Sequence, residues 1–155
     1  MDGKYLTFSL GNENYGVKIE LVKEIIAMMP ITPIPKTPEY IKGILNLRGK
    51  IIPIVDLRLK FSMNWIEYND RTSIIVVEVS KENKVRNVGI AVDKVAEVID
   101  IKTDEIEEFD DDATKTEDDF IIGIAKLKDK VVMLLDIENI LASKEIFNMK
   151  DTITA

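Results

Sequence analysis

Cysteine and histidine are both missing from this 155-residue chain. The first absence removes disulfides and thiol chemistry. The second removes the commonest general base, the usual zinc ligand and the side chain that titrates near neutrality, which disfavours metal hydrolysis and triad catalysis. No apolar run approaches the roughly eighteen residues that a membrane span needs, and the opening MDGKYLTFSLGNE lacks the order of a secretory signal. A cytoplasmic protein with no direct membrane insertion is expected. Basic residues are outnumbered, 21 Lys and Arg against 28 Asp and Glu, and the net charge of -7 argues against nucleic acid, whose binding rests on clustered cations. The expected partner is protein. Apolar residues, by contrast, make up 46% of the chain, enough for a sizeable core in one domain or in two minimal units that share one.

The chain also contains itself twice. Tyr40 to Leu57 (YIKGILNLRGKIIPIVDL) and Phe120 to Ile137 (FIIGIAKLKDKVVMLLDI) lie 80 positions apart and agree at six of eighteen positions: Ile41/Ile121, Gly43/Gly123, Ile44/Ile124, Leu47/Leu127, Lys50/Lys130 and Asp56/Asp136. Shared composition alone would give roughly one or two. Gly16 to Ile26 (GVKIELVKEII) is echoed by Gly89 to Ile99 (GIAVDKVAEVI) at an offset of 73, with four identities. The seven extra residues of the second half fall across the acidic stretch Asp104 to Asp119, as a loop insertion would.

Each half reads as short strands. Leu6, Phe8 and Leu10 alternate with polar neighbours, Gly11 to Asn14 predicts a four-residue hairpin loop, and Tyr15 to Ile19 returns. Leu21 to Met29 predicts a bend and a third strand. Pro30, Pro33, Pro35 and Pro38 then fix an ordered, extended crossover. Gly43 to Leu47 and Lys50 to Asp56 predict two strands joined at Arg48-Gly49, with Asp56 capping a short helix through Phe61. After a linker around Trp65, Thr72 to Val79, Val85 to Val92 and Val95 to Ile101 repeat the pattern. Asp136 is expected to cap a closing helix carrying Ile137, Ile140, Leu141 and Ile146. The fold class is mainly β, with two five-stranded barrels side by side, short helices and a C-terminal helix. The expected single domain covers residues 1–155, with one subdomain at about 15–61, another at about 72–137, and the first strand and last helix packing across them.

Lys50 to Asp56 is apolar on both faces, as is its copy, so both need cover, either between the barrels or from a partner. Pro53 cannot donate to a ladder, which makes its strand locally an edge or a bulge, and an edge is a place where another chain can dock. At both Gly43 and Gly123, recurrence in the repeat predicts a backbone requirement, namely a bulge or a close approach.

The run Ile34 to Arg58 (IPKTPEYIKGILNLRGKIIPIVDLR) resembles the signature of the CheW family of chemotaxis coupling proteins, and Tyr15-Gly16-Val17 with Val22-Lys23-Glu24-Ile25 fits the same family's opening. The resemblance spans nearly the whole chain. It implies two Src-homology-3-like barrels, no catalysis, no cofactor and no metal. It also implies an adaptor recruited to membrane-associated receptor arrays, joining the cytoplasmic tips of chemoreceptors to the regulatory domain of the histidine kinase CheA. Val22, Glu24, Gly43 and Arg48 match positions implicated in receptor coupling, and Ile19, Ile25, Ile51 and Pro53 are the candidates for the kinase interface. Arg48 is expected to reach Glu24 on the neighbouring strand as a bidentate pair that shapes a groove wall, or else to touch the receptor itself.

Other features read as structural. The paired PxxP spacings fit an ordered crossover better than a ligand for a proline-reading domain. The nine carboxylates of Glu105 to Asp119 lack the spacing and glycine of a calcium loop and predict a solvated acidic loop. Asp56 and Asp136 each cap a helix rather than form a catalytic pair, and Trp65 packs against a barrel. Met1 directly before the first strand and the short tail Asp151 to Ala155 fit a free-standing chain. Rival readings remain: a coupling protein of a chemotaxis-like pathway with another output, a regulatory domain cut from a CheA kinase or the adaptor half of a protein that carries a receiver domain, and a small-ligand barrel or enzyme using the cleft between the halves.

Overall fold

In the computed structural model, residues 3–108, 120–142 and Ile146 are described. Expectations for 109–119 and for the helix beyond Ala142, Ile146 excepted, fall outside them. Strands β1 (Gly3–Leu10) and β2 (Glu13–Lys18) form a hairpin whose register runs out to Leu10 opposite Glu13. Its turn is therefore Gly11-Asn12, two residues rather than the four expected. Gly11 takes φ 59° at the first turn position, which lets the strands close at once. A 3-10 turn at Ile19–Leu21 leads to β3 (Val22–Ala27), and the proline-rich crossover leads to β4 (Ile41–Leu47), β5 (Lys50–Asp56) and helix α1 (Leu57–Lys60). The second half supplies β6 (Ser73–Lys81), β7 (Lys84–Val92), β8 (Lys94–Ile101), β9 (Ile106–Glu108), β10 (Ile121–Lys126), β11 (Val131–Leu135) and α2 (Ile137–Ile140).

These strands form two sheets, one ordered β8-β1-β2-β11-β10-β9 and the other β3-β6-β7-β5-β4. By order along the repeat, β6, β7, β8, β10 and β11 are the second copies of β1, β2, β3, β4 and β5. Replacing each strand by its copy turns the second sheet into the first. The halves have exchanged hairpins: β1-β2 sits between strands of half two, and β6-β7 between strands of half one. The two seams where a hairpin meets the other half's fifth strand, β2 with β11 and β7 with β5, are the parallel pairings, and all other ladders are antiparallel.

The first sheet has a sixth strand, β9, inside the acidic stretch read as loop. Ile106 is its one apolar residue, and it exists by pairing with β10 at Gly123–Ala125 rather than by propensity. At the matching place in the other sheet, Thr32 makes a lone bridge to Ile44, with Thr32 N–H on Ile44 O at 3.0 Å and Ile44 N–H on Thr32 O at 2.9 Å. The flanking prolines lack donors, so this edge shrinks to a single residue pair. Both repeat glycines sit at bulges, where the register slips between Ile41 and Gly43 and between Ile121 and Gly123. Gly43 has φ 142°, and a Cβ there would collide with the carbonyl oxygen of Thr32.

Three apolar clusters follow from this arrangement. The largest lies between the sheets and takes Leu6, Phe8 and Leu10 of β1, Ile75, Val77 and Val79 of β6, and Ile137, Ile140, Leu141 and Ile146 from the chain's end. Each sheet has a private cluster on its other face, one around Ile52, Ile54, Ile74 and Val76, the other around Tyr5, Ile101, Val132 and Leu134. Most of the two apolar faces of β5 is covered from within in this way, Ile52 and Ile54 by the private cluster and Val55 by the shared one, while Ile51 stays half-buried outside both. Asp56 accepts from Leu59 N–H and Asp136 from Asn139 N–H, each at 3.1 Å, so both expected caps are present.

Candidate functional site

In the five-stranded sheet, β3 and β4 are the two edges, and no ladder joins them. Hydrophobic packing brings them face to face, because Ile26 of β3 and Leu45 and Leu47 of β4 belong to the same private cluster. The turn between β4 and β5 projects across this seam. Arg48 and Gly49 both take positive φ, 52° and 85°, the pattern of a two-residue primed turn, and the Asn46 side chain accepts from Gly49 N–H at 3.0 Å. Arg48 Nη2 then donates to Glu24 Oε2 on β3. The pair expected from sequence is present, with two corrections. It spans opposite edges of the sheet rather than neighbouring strands, and it is made through one nitrogen and one oxygen.

Along β3, Val22, Glu24 and Ile26 are half-buried while Lys23, Ile25 and Ala27 are exposed. Ile25, at 44% exposure, therefore points away from Glu24, to the side its partner Ile75 shares with the core between the sheets, at the open margin of that side. Glu24 and Arg48 meet at the seam and Gly43 lies on β4 against Thr32, whereas Val22, before the β3 bulge, pairs with Val77 and packs on the shared core of the other face. Among the other candidates, Ile19 in the 3-10 turn packs partly against the shared core and Ile51 is half-buried. Pro53 is buried, so it can act on a partner only through the course of β5. That course is informative: β5 pairs with β7 only from Ile54 to Asp56, so the strand is a local edge up to Pro53 despite its interior position.

Sequence reading missed a second constellation. Arg58 of α1 grips Asp93, in the β7–β8 turn, with Nε on Oδ1 at 2.8 Å and Nη2 on Oδ2 at 2.7 Å; it also donates to Asn64 O at 3.1 Å. Gly11 N–H donates to the same carboxylate at 2.7 Å. Burial works to raise the Asp93 pKa, but the bonds from Arg58 and Gly11 and the Arg58 charge outweigh it and hold the carboxyl below its ordinary value. Arg58 lies inside the quoted signature, but nothing local names a partner 35 residues away.

The halves also meet at an aromatic row. Phe8 stacks on Tyr15, Tyr15 leans on Phe61, and Phe61 stacks on Phe120, with centroids 5.8 to 5.9 Å apart. Lys60 Nζ stands over Tyr40 at 4.2 Å and over Phe120 at 5.5 Å, two residues that are copies of each other in the repeat. A cleft of about 370 Å³ opens there, lined by Lys60, Phe61, Ser62 and Phe120. Trp65 is half exposed, edge-on to Tyr68 with Lys42 over its ring at 5.5 Å. No group of metal-ligating side chains occurs among the described residues, and no helix among them is long and apolar enough to cross a membrane.

The family model for the CheW-like domain matches residues 4–145. The chain is 38% identical to the chemotaxis protein CheW of Klebsiella aerogenes over 92% of its own length and 83% of that protein's. It is 34% identical to the chemotaxis protein CheW of Treponema pallidum, covering 91% and 83%. Among solved structures, the scaffolding protein TtCheW from Thermoanaerobacter tengcongensis superposes with a TM-score of 0.80 at 36% identity, over 99% of both chains.

Proposed function

The chain belongs to the CheW-like family, and from that premise we propose that it joins chemoreceptor tips to the histidine kinase CheA without catalysing a reaction. Its role is that of a chemotaxis adaptor, a scaffold as its solved relative is. What supports the finer reading is the seam: Glu24 and Arg48, two of the four residues matched by resemblance to receptor coupling, pair where Arg48 ties one sheet edge to the other. The receptor's helical hairpin docks in the groove between the two barrels, and the kinase regulatory domain takes the first barrel, with Ile25 and Ile51 as its apolar contacts and Ile19 and Pro53 setting the backbone beneath. In the cell the protein sits in the cytoplasm at receptor arrays. With two docking surfaces on a shared set of strands, occupation of one alters affinity at the other.

The test is a calorimetric titration of the chain into the isolated CheA regulatory domain, repeated with a receptor-tip fragment and with Arg48→Ala. Saturable binding to both, with the substitution weakening chiefly the receptor, supports the reading. No heat with either partner at high micromolar concentration sinks it.

A further inference from the structure

The described chain passes between its two sheets twice. Strands β3 to β7, within residues 22–92, make the whole five-stranded sheet, while β1, β2 and β8 to β11 make the other. The passages are therefore Ile19–Leu21, between β2 and β3, and Asp93, the single residue between β7 and β8. They leave the first sheet on opposite flanks of β1, where Lys18 pairs with Tyr5 and Lys94 with Ser9, about 13 Å apart along that strand at the usual rise.

The repeat makes these passages copies of each other, with Glu20 at the place of Asp93, yet they are held differently. Asp93 accepts Gly11 N–H from the first sheet and Nε and Nη2 of Arg58 from α1, and Arg58 also holds Asn64 O of the linker. Neither member of that ion pair is more than 18% exposed. At the copied place Arg58 becomes Glu138 and Asp93 becomes Glu20, two like charges, so no such clamp can form. Glu138 instead accepts from Ser80 N–H at 3.2 Å, Glu20 is exposed, and its 3-10 turn has no side-chain cap and no buried residue. One passage is clamped and the other is compliant.

When two packed layers are joined by a stiff and a compliant connection, movement between them is taken up at the compliant one, and the close-packed core they share keeps it small. Ile19 opens the compliant passage and Val22 follows it, and both rest partly on that core. By resemblance the first belongs to the kinase interface and the second to receptor coupling. We propose that Asp93, held by Arg58, is the pivot between the two sheets, and that the Ile19–Leu21 turn moves about it, so that a receptor at Val22 and a kinase at Ile19 sense one another through one displacement. Arg58 and Asp93 are then positioning residues that touch neither partner. This device rests on the adaptor reading and gives its coupling a route.

The test is the coupling factor, the ratio of receptor-tip affinities measured by calorimetry on the full chain with and without saturating CheA regulatory domain. The intact chain is expected to show a factor of roughly five or more. Asp93→Asn and Arg58→Gln are each expected to bring it below about twofold, while each partner added alone binds within about twofold of its original affinity. Asp136→Ala, which removes a helix cap in the other half, is expected to keep the factor. The pivot is overturned by a factor unchanged in both clamp variants, by one lost only in step with the separate affinities, by one lost equally in Asp136→Ala, or by none in an intact chain that binds both partners. An intact chain that binds neither partner sinks the adaptor reading, and the pivot with it.

Discussion

Arg48 and Glu24 lie on opposite edges of one sheet and touch each other across its private core. The arginine side chain is 71% exposed and the glutamate 30%. Solvent screens such a pair, so its value to stability is about 0 to 1 kcal/mol. Arg48→Ala is expected to shift the thermal midpoint by only a few degrees while weakening receptor-tip binding at least tenfold. The reversed pair, Glu24→Arg with Arg48→Glu, separates shape from contact. Recovered binding in the double variant assigns the pair to groove shape, and persistent loss assigns Arg48 to the receptor contact itself.

Arg58 and Asp93 form the stronger ion pair, at 13% and 18% exposure with two-point contact. Removing one member strands the other, and Asp93→Ala is expected to cost about 2 to 3 kcal/mol in denaturant unfolding. The pH dependence follows from the lowered Asp93 pKa. A carboxylate whose folded pKa lies below its unfolded value of about 3.9 contributes its full stability above that value and loses it as pH falls through the folded value. Asp93→Asn is expected to flatten the acid limb of the stability profile below about pH 4.

Tyr68 donates its hydroxyl to the buried carboxylate of Asp56 at 2.6 Å. Burial first, then that bond and the Asp56 charge, push the Tyr68 pKa well above the ordinary phenol range. A group with a raised folded pKa stabilises below its unfolded value of about 10 and loses that contribution as pH rises through the folded one. Burial also raises Tyr5 and Tyr15, so absorbance titration is expected to show Tyr68 as the component that ionises last. Tyr68→Phe is expected to remove that signature at a cost of about 1 to 2 kcal/mol.

Two glycines with positive φ separate strain from collision. A Cβ at Gly49 meets nothing within 4 Å, so Gly49→Ala carries only the backbone penalty of about 1 kcal/mol. At Gly43 the same methyl drives into the Thr32 carbonyl, and Gly43→Ala is expected to cost about 2 kcal/mol or more and to free the Thr32–Ile44 bridge, seen as faster exchange at the Ile44 amide. Equal losses at the two sites contradict this account.

What the sequence shows depends on distance along the chain. The caps at Asp56 and Asp136, the turn at Arg48-Gly49 and the bulge glycines are local, and each is written in a few adjacent residues. Strand exchange is not local: nothing in β1 or β2 says that their partners are β8 and β11, because those contacts close loops of about eighty residues or more. β9 was hidden for the same reason, since Glu107 and Glu108 disfavour a strand and only the waiting edge of β10 makes one. The hairpin turn is shorter than its residues suggest because Glu13 and Asn14 have loop character while cross-strand pairing claims them. At the seam, residue types suggested the Arg48–Glu24 pair, but its geometry required knowing that the sheet's two edges meet.

The reciprocal hairpins have a consequence for inheritance. If the repeat descends from a duplicated gene, the ancestral product was half this length, and one copy alone could complete neither sheet; two copies clasping one another could complete both. The linker around Trp65 would then be a later tether that turned two molecules into one. Cutting it should leave pieces that reassemble when mixed and remain unfolded when kept apart.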